Sequence, residues 1–70
     1  MADVLAPLAG KILNILVQPG SKVEEDDELL VVEALKMENT VYAPDCGTVK
    51  EIKVQVGDTV EDAQLLMVIE

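Results

Sequence analysis

The sequence predicts an all-β domain, a flattened barrel or sandwich of two quasi-symmetric antiparallel four-stranded halves, and three observations carry that prediction. Half of the 70 residues are hydrophobic, yet Tyr42 is the sole aromatic, so Val, Leu, Ile and Ala must fill the interior. That aliphatic, partly β-branched vocabulary suits strands. The second observation is an internal repeat: a shift of 37 places aligns residues 6–33 with residues 43–70 without a gap, and twelve of the 28 pairs are identical. The third is period: Ile52-Lys53-Val54-Gln55-Val56 alternates between apolar and polar, the signature of a half-buried strand.

Each copy reads as strand, turn and strand. Ala6-Pro7 and Ala43-Pro44 open the copies, followed by Gly10 and Gly47, which we read as demands of backbone geometry rather than of binding. An apolar run comes next in each. In the second copy Val49 is out of phase with Ile52, which predicts a bulge near Lys50 and Glu51. Gln18-Pro19-Gly20-Ser21 has Pro and Gly where a type II turn wants them, and Gln55-Val56-Gly57-Asp58 repeats the glycine. A short extension containing Val23 or Val60 leads to the final runs, Leu29 to Val32 and Leu65 to Ile69. These are continuously apolar and suit the most buried strands. Neither copy can bury its apolar face alone, so the two are expected to pack face to face about a pseudo-twofold axis. Residues 1–70 are thus expected to form one domain, with halves 6–33 and 43–70 joined by a hairpin at 34–42.

Within that link, local preferences conflict. Glu33-Ala34-Leu35-Lys36-Met37-Glu38 consists of good helix formers, but so short a segment between two strands cannot sustain a helix. A tight reversal is the alternative. No Gly, Asn-Gly or Asp-Gly is present to accept positive φ, so a two-residue turn through Leu35 and Lys36 would be conformationally expensive. Conflict of this kind tends to mark a functional site.

Composition narrows the chemistry. The net charge is −9 and the five lysines form no cluster, which disfavours nucleic acid and anionic lipid surfaces, and one aromatic makes no base-stacking platform. The acidic run from Glu24 to Glu28 is contiguous rather than spaced around a glycine-containing loop, and reads as solvated. Histidine is absent and Cys46 is alone, so no catalytic or metal-ligating residue is assigned. No apolar run approaches membrane-spanning length, and direct membrane insertion is not expected. The lone cysteine and the lack of a signal-like N-terminus give a cytoplasmic expectation.

The segment Glu33-Ala34-Leu35-Lys36-Met37-Glu38 resembles the biotinyl-lysine motif of biotin carboxyl carrier domains, usually Ala-Met-Lys-Met. The resemblance covers residues 3–70 and takes in both Ala-Pro pairs and the Pro19-Gly20 turn. It implies a flattened barrel whose modified lysine sits on a hairpin between two quasi-symmetric halves, with both chain ends at the opposite pole. It also implies covalent biotin on Lys36, attached by a biotin protein ligase. The domain would then shuttle carboxyl groups between a biotin carboxylase and a carboxyltransferase or decarboxylase, catalysing nothing itself. Leu35 departs from the usual Met but preserves volume and apolarity. Met37 serves either packing at the strand start or recognition. Glu33 and Glu38 either steer the ligase or act as solubilising flanks.

Lipoyl carrier domains of 2-oxoacid dehydrogenases share the resemblance, but their lysine usually lies between Asp and Ala rather than between Leu35 and Met37. Unmodified interaction modules, such as the related barrel halves of membrane-fusion adaptors, would need no lysine at position 36. An enzyme using Lys36 for a Schiff base would need a desolvated pocket, which a hairpin tip on a thin domain does not offer.

Overall fold

The computed structural model describes residues 2–70. Eight strands run in order: β1 (Ala2–Leu5), β2 (Gly10–Ile15), β3 (Lys22–Val23), β4 (Glu28–Ala34), β5 (Met37–Tyr42), β6 (Gly47–Ile52), β7 (Thr59–Val60) and β8 (Leu65–Ile69). They form two four-stranded sheets, β1-β8-β6-β3 and β5-β4-β2-β7, and every pairing is antiparallel. A shift of 37 residues, forward for strands of the first half and backward for those of the second, relates one sheet to the other. β2, β3 and β4 become β6, β7 and β8, while β1 falls on the second part of β5.

The symmetry extends to register. Ala2↔Ile69, Asp3↔Val68 and Val4↔Met67 are the repeat mates of Asn39↔Val32, Thr40↔Val31 and Val41↔Leu30. The repeat therefore reaches further than sequence identity shows, because β1 and residues 39–42 are equivalent although Val4 and Val41 are their single identical pair. The bulge between Val49 and Glu51 lies where the broken alternation places it, and its mate lies between Ile12 and Asn14. Turn hydrogen bonds repeat as well. The Gly20 N–H donates to the Val49 carbonyl, and the Gly57 N–H donates to that of Ile12, each at 2.8 Å.

Both glycine turns follow the sequence reading. Gly20 and Gly57 have φ of 94° and 96°, and Ser21 and Asp58 close their turns by donating to the carbonyls of Gln18 and Gln55. One expectation fails here. The alternation through Val56 predicts a strand to that residue, but the ladder ends at Ile52 and Val56 is 60% exposed. Val56 is the repeat mate of Pro19 and occupies the second position of its turn, so turn geometry overrides the pattern.

The core lies between the sheets and is aliphatic. Ile12, Leu29, Leu30, Val32, Leu66 and Met67 are fully buried, joined by Ile69, Val49 and Val60. The two continuous apolar runs, in β4 and β8, supply six of these nine. No polar or charged residue is buried among the described residues, so the interior holds no unpaired polar group to offset. Gly10 and Gly47 admit a neighbouring strand closely. A Cβ on Gly10 would strike the Glu33 carbonyl oxygen and come within 2.7 Å of a Val32 methyl, and one on Gly47 would meet the Glu70 carbonyl and an Ile69 methyl in the same way. The fold is 31 Å long and under 20 Å across, and the β4–β5 connection is the one place where the two halves join covalently.

Candidate functional site

β4 and β5 are joined by Leu35 and Lys36 alone, with φ of 52° and 64°. Two successive left-handed residues in a two-residue loop are the type I′ arrangement, whose twist matches the strands and which ordinarily takes Asn-Gly. Here neither residue is glycine or asparagine. The left-handed region costs roughly 1–2 kcal/mol for each such residue, so the turn is held by the ladder around it and not by its own preferences. Helix propensity in this segment loses to the strand pairing on either side, as tertiary context often dictates.

The two-residue turn fixes what flanks Lys36. Ala34 pairs with Met37, Glu33 with Glu38, and Val32 with Asn39. Because side chains alternate between faces, Ala34 and Met37 lie on the face that continues the core, and Glu33 and Glu38 lie on the outer face. The tip is therefore bifacial: apolar on one side and doubly acidic on the other. Like charges directly opposite one another are destabilising, and both carboxylates remain exposed. On the next strand Lys11 is paired with Glu33 in register, although the two form no ion pair.

Leu35 is 95% exposed and Met37 65% exposed. A leucine left in water forgoes about 1.5–3 kcal/mol of burial, so Leu35 is unfavourable both in its backbone and in its solvation. Lys36 is also exposed and makes no ion pair among the described residues. Asn39 steadies the start of β5 by donating from Nδ2 to the Met37 carbonyl at 3.4 Å. No cavity is present among the described residues. An amine held at the end of a narrow module, with an open approach, can be acylated and can then carry its acyl group into a site on another protein.

Of the residues singled out in the sequence, Lys36, Leu35, Ala34, Met37, Glu33 and Glu38 all gather at this tip. Sequence reasoning did not assign the two faces, nor that Glu33 and Glu38 are direct cross-strand neighbours. The signal was available: a turn of two residues at 35 and 36 forces the pairs 34/37 and 33/38. The acidic run lies elsewhere, in a turn where the Asp27 carboxylate accepts from the Glu24 N–H at 2.8 Å.

A two-sheet barrel of duplicated halves that presents one lysine on a strained hairpin defines a swinging-arm carrier module. The chain belongs to the family described as biotin-requiring enzyme, whose model matches residues 2–69. Among curated relatives, it is 55% identical over 38 residues to the gamma subunit of glutaconyl-CoA decarboxylase from Acidaminococcus fermentans, covering 54% of this chain and 26% of that subunit. It is 47% identical over 38 residues to the biotin carboxyl carrier protein of Streptococcus mutans, covering 54% of this chain and 29% of that protein. Urea carboxylase of Kluyveromyces lactis superposes with a TM-score of 0.93 at 30% identity, over 99% of this chain and 6% of that one. The lipoyl domain of the 2-oxoglutarate dehydrogenase complex from Azotobacter vinelandii superposes with a TM-score of 0.84 at 28% identity, over 100% of this chain and 96% of that domain. The chain thus spans less than a third of the length of either curated relative.

Proposed function

We propose that this chain is the biotin-bearing carrier module of a biotin-dependent carboxylase or decarboxylase, with biotin in amide linkage on Lys36. The observation that carries the reading is the placement of an exposed lysine at the second position of a strained two-residue turn, within a family of biotin-requiring enzymes. The similarity to a biotin carboxyl carrier protein and to a decarboxylase gamma subunit supports biotin. The Leu35 and Met37 flanks favour it over lipoate.

The residues at the tip suit such a group. The neutral Lys36 amine attacks the carbonyl carbon of an activated biotinyl carboxylate; the N–C bond forms, the activating group departs with its electron pair, and the amine gives up a proton. When bound, biotin supplies the ring position that accepts and releases the carboxyl group. Lys36 contributes a long flexible stem, which raises the effective concentration of its cargo at each site within reach. The turn contributes direction, since it aims that stem away from the barrel. Leu35 and Met37 offer apolar contact to whatever the tip enters, and Glu33 and Glu38 offer charge on one side only.

The partners this reading names are a biotin protein ligase, then biotin carboxylase and carboxyltransferase or decarboxylase sites. The exposed thiol of Cys46 suits a reducing compartment, which supports a cytoplasmic location. The test is intact mass after incubation with a biotin ligase, biotin and ATP, beside a parallel incubation with a lipoate ligase and lipoate. The expected result is one biotin per chain, gained with loss of water, and none on a Lys36→Arg variant. Lipoate taken up in place of biotin would make this a lipoyl carrier, and biotin retained by Lys36→Arg would remove Lys36 from the reading.

A further inference from the structure

The halves of this molecule are interleaved. Of the six strand pairings, β1 with β8, β2 with β7, β3 with β6 and β4 with β5 each join the first half to the second, whereas β2 with β4 and β6 with β8 alone lie within a half. Of the 21 register pairs in these ladders, 14 are therefore made between residues 2–34 and residues 37–70. The covalent link between these two sets is Leu35-Lys36, both left-handed and neither glycine.

We infer that the chain can exchange halves with a second copy of itself, using Leu35-Lys36 as the hinge. In the exchanged dimer β4 runs on into β5 as one extended strand, and each lobe contains the first half of one copy and the second half of the other. Each lobe keeps the core of the monomer, so burial does not distinguish the two states. The difference lies in the hinge and in association. Short strained hinges favour exchange because opening releases their strain, and each dimer releases four left-handed residues. Opposing it are the lost freedom of the second chain and the meeting of the Glu33 and Glu38 carboxylates of both copies around the hinge. Salt screens that repulsion, so dimer increases with ionic strength.

Exchange requires the halves to part, which amounts to unfolding, so the dimer forms on refolding at high protein concentration and then persists. In the dimer Lys36 lies within an extended strand and no longer projects from a turn. This consequence rests on the reading of Lys36 as the biotin acceptor, and it makes the exchanged dimer a silent form of the carrier.

The test refolds the chain from denaturant over a range of concentrations and salt, and measures mass by size exclusion with light scattering. A dimer with the circular dichroism of the monomer is expected, returning to monomer after unfolding and dilute refolding. The Leu35→Asn/Lys36→Gly variant relaxes the hinge in the monomer and lowers the dimerisation constant by roughly a hundredfold or more, from the left-handed penalty of four residues. Ala63→Gly is the control, since Ala63 has φ of 65° outside the hinge; it stabilises monomer and lobe alike and leaves the constant unchanged. Absence of dimer from the parent, undiminished dimer from the relaxed hinge, or an equal drop with Ala63→Gly overturns the inference. Isolated dimer is then expected to take biotin at least about tenfold more slowly than monomer, as suits loss of the turn that presents the amine; equal rates overturn the silent form. A monomer that takes no biotin counts against Lys36 as the acceptor, and the light-scattering result stands apart from it.

Discussion

The β4–β5 pair and the β1–β8 pair are the same structure made twice, in the same register and with the same bulge, yet one is closed by a two-residue turn and the other by nothing. Val41 faces Leu30 as Val4 faces Met67, and the core buries all four. The open pair shows that core packing, and not the connection, sets this register. The turn at Leu35-Lys36 is thereby freed from any duty to the fold. Its two unfavourable features, left-handed backbone and exposed Leu35, are offset by no contact of the turn itself, and the proposed role of Lys36 accounts for them.

The two halves should respond alike to matched substitutions. The largest effect is expected from the core mates Leu29 and Leu66, both fully buried. Either one changed to Ala costs about 2–5 kcal/mol, a large part of the stability of so small a domain. Urea unfolding should give the same loss for both; losses that differ by more than about half would show that one sheet dominates the core. Next come Gly10→Ala and Gly47→Ala, each of which forces apart strands that meet at a carbonyl. Each should cost about 1–3 kcal/mol, as overpacking does, and an unchanged midpoint for either would contradict the close approach.

Smaller effects appear where the halves differ. Asp26 and Ala63 are repeat mates with φ of 71° and 65°, and Asp tolerates that region better than Ala. Ala63→Gly should therefore stabilise by about 0.5–1 kcal/mol, and Asp26→Gly by less; the reverse order in thermal melts would break the comparison. The smallest effect concerns Glu51 and Lys53, which form an exposed ion pair at 2.8 Å where the first half has Asn14 and Leu16. The hydrogen bond and charge of Lys53 lower the Glu51 pKa. A lowered folded-state value means that any stability from this pair is present above the ordinary carboxylate range and is lost as pH falls through the folded pKa. In Lys53→Met the Glu51 carboxyl should titrate at higher pH by NMR, while the urea midpoint at neutral pH stays where it is, since exposed pairs contribute little.

The sequence made much of this legible, and the reasons differ between regions. Twelve identities at a constant spacing exposed the duplication, and the run from Leu29 to Val32 revealed a core strand, with Leu29, Leu30 and Val32 buried and alternation broken where the register shifts between Glu28 and Leu30. Equivalence of β1 with residues 39–42 was hidden, because an edge strand of four residues commits only Val4 to the core and demands little of its other side chains. Val56 misled because a turn position and a strand position can both be apolar. At the tip, the clash between helix formers and strand context located Leu35 and Lys36. The opposed faces of Glu33/Glu38 and Ala34/Met37 became visible only once the turn length was fixed at two.

On the proposed function, the turn at Leu35-Lys36 exists to aim one amine. The double substitution Leu35→Lys/Lys36→Leu preserves composition, charge and hydrophobicity, and it moves the amine by one residue around a turn in which successive side chains leave in different directions. The measurement is the initial rate of biotin incorporation by a biotin ligase, for parent and exchanged chain, with circular dichroism to verify an intact barrel. A folded protein that is scarcely biotinylated is the expected result. A folded protein modified at the parental rate would show that the ligase reads local sequence, and that the geometry of the turn is not what selects Lys36.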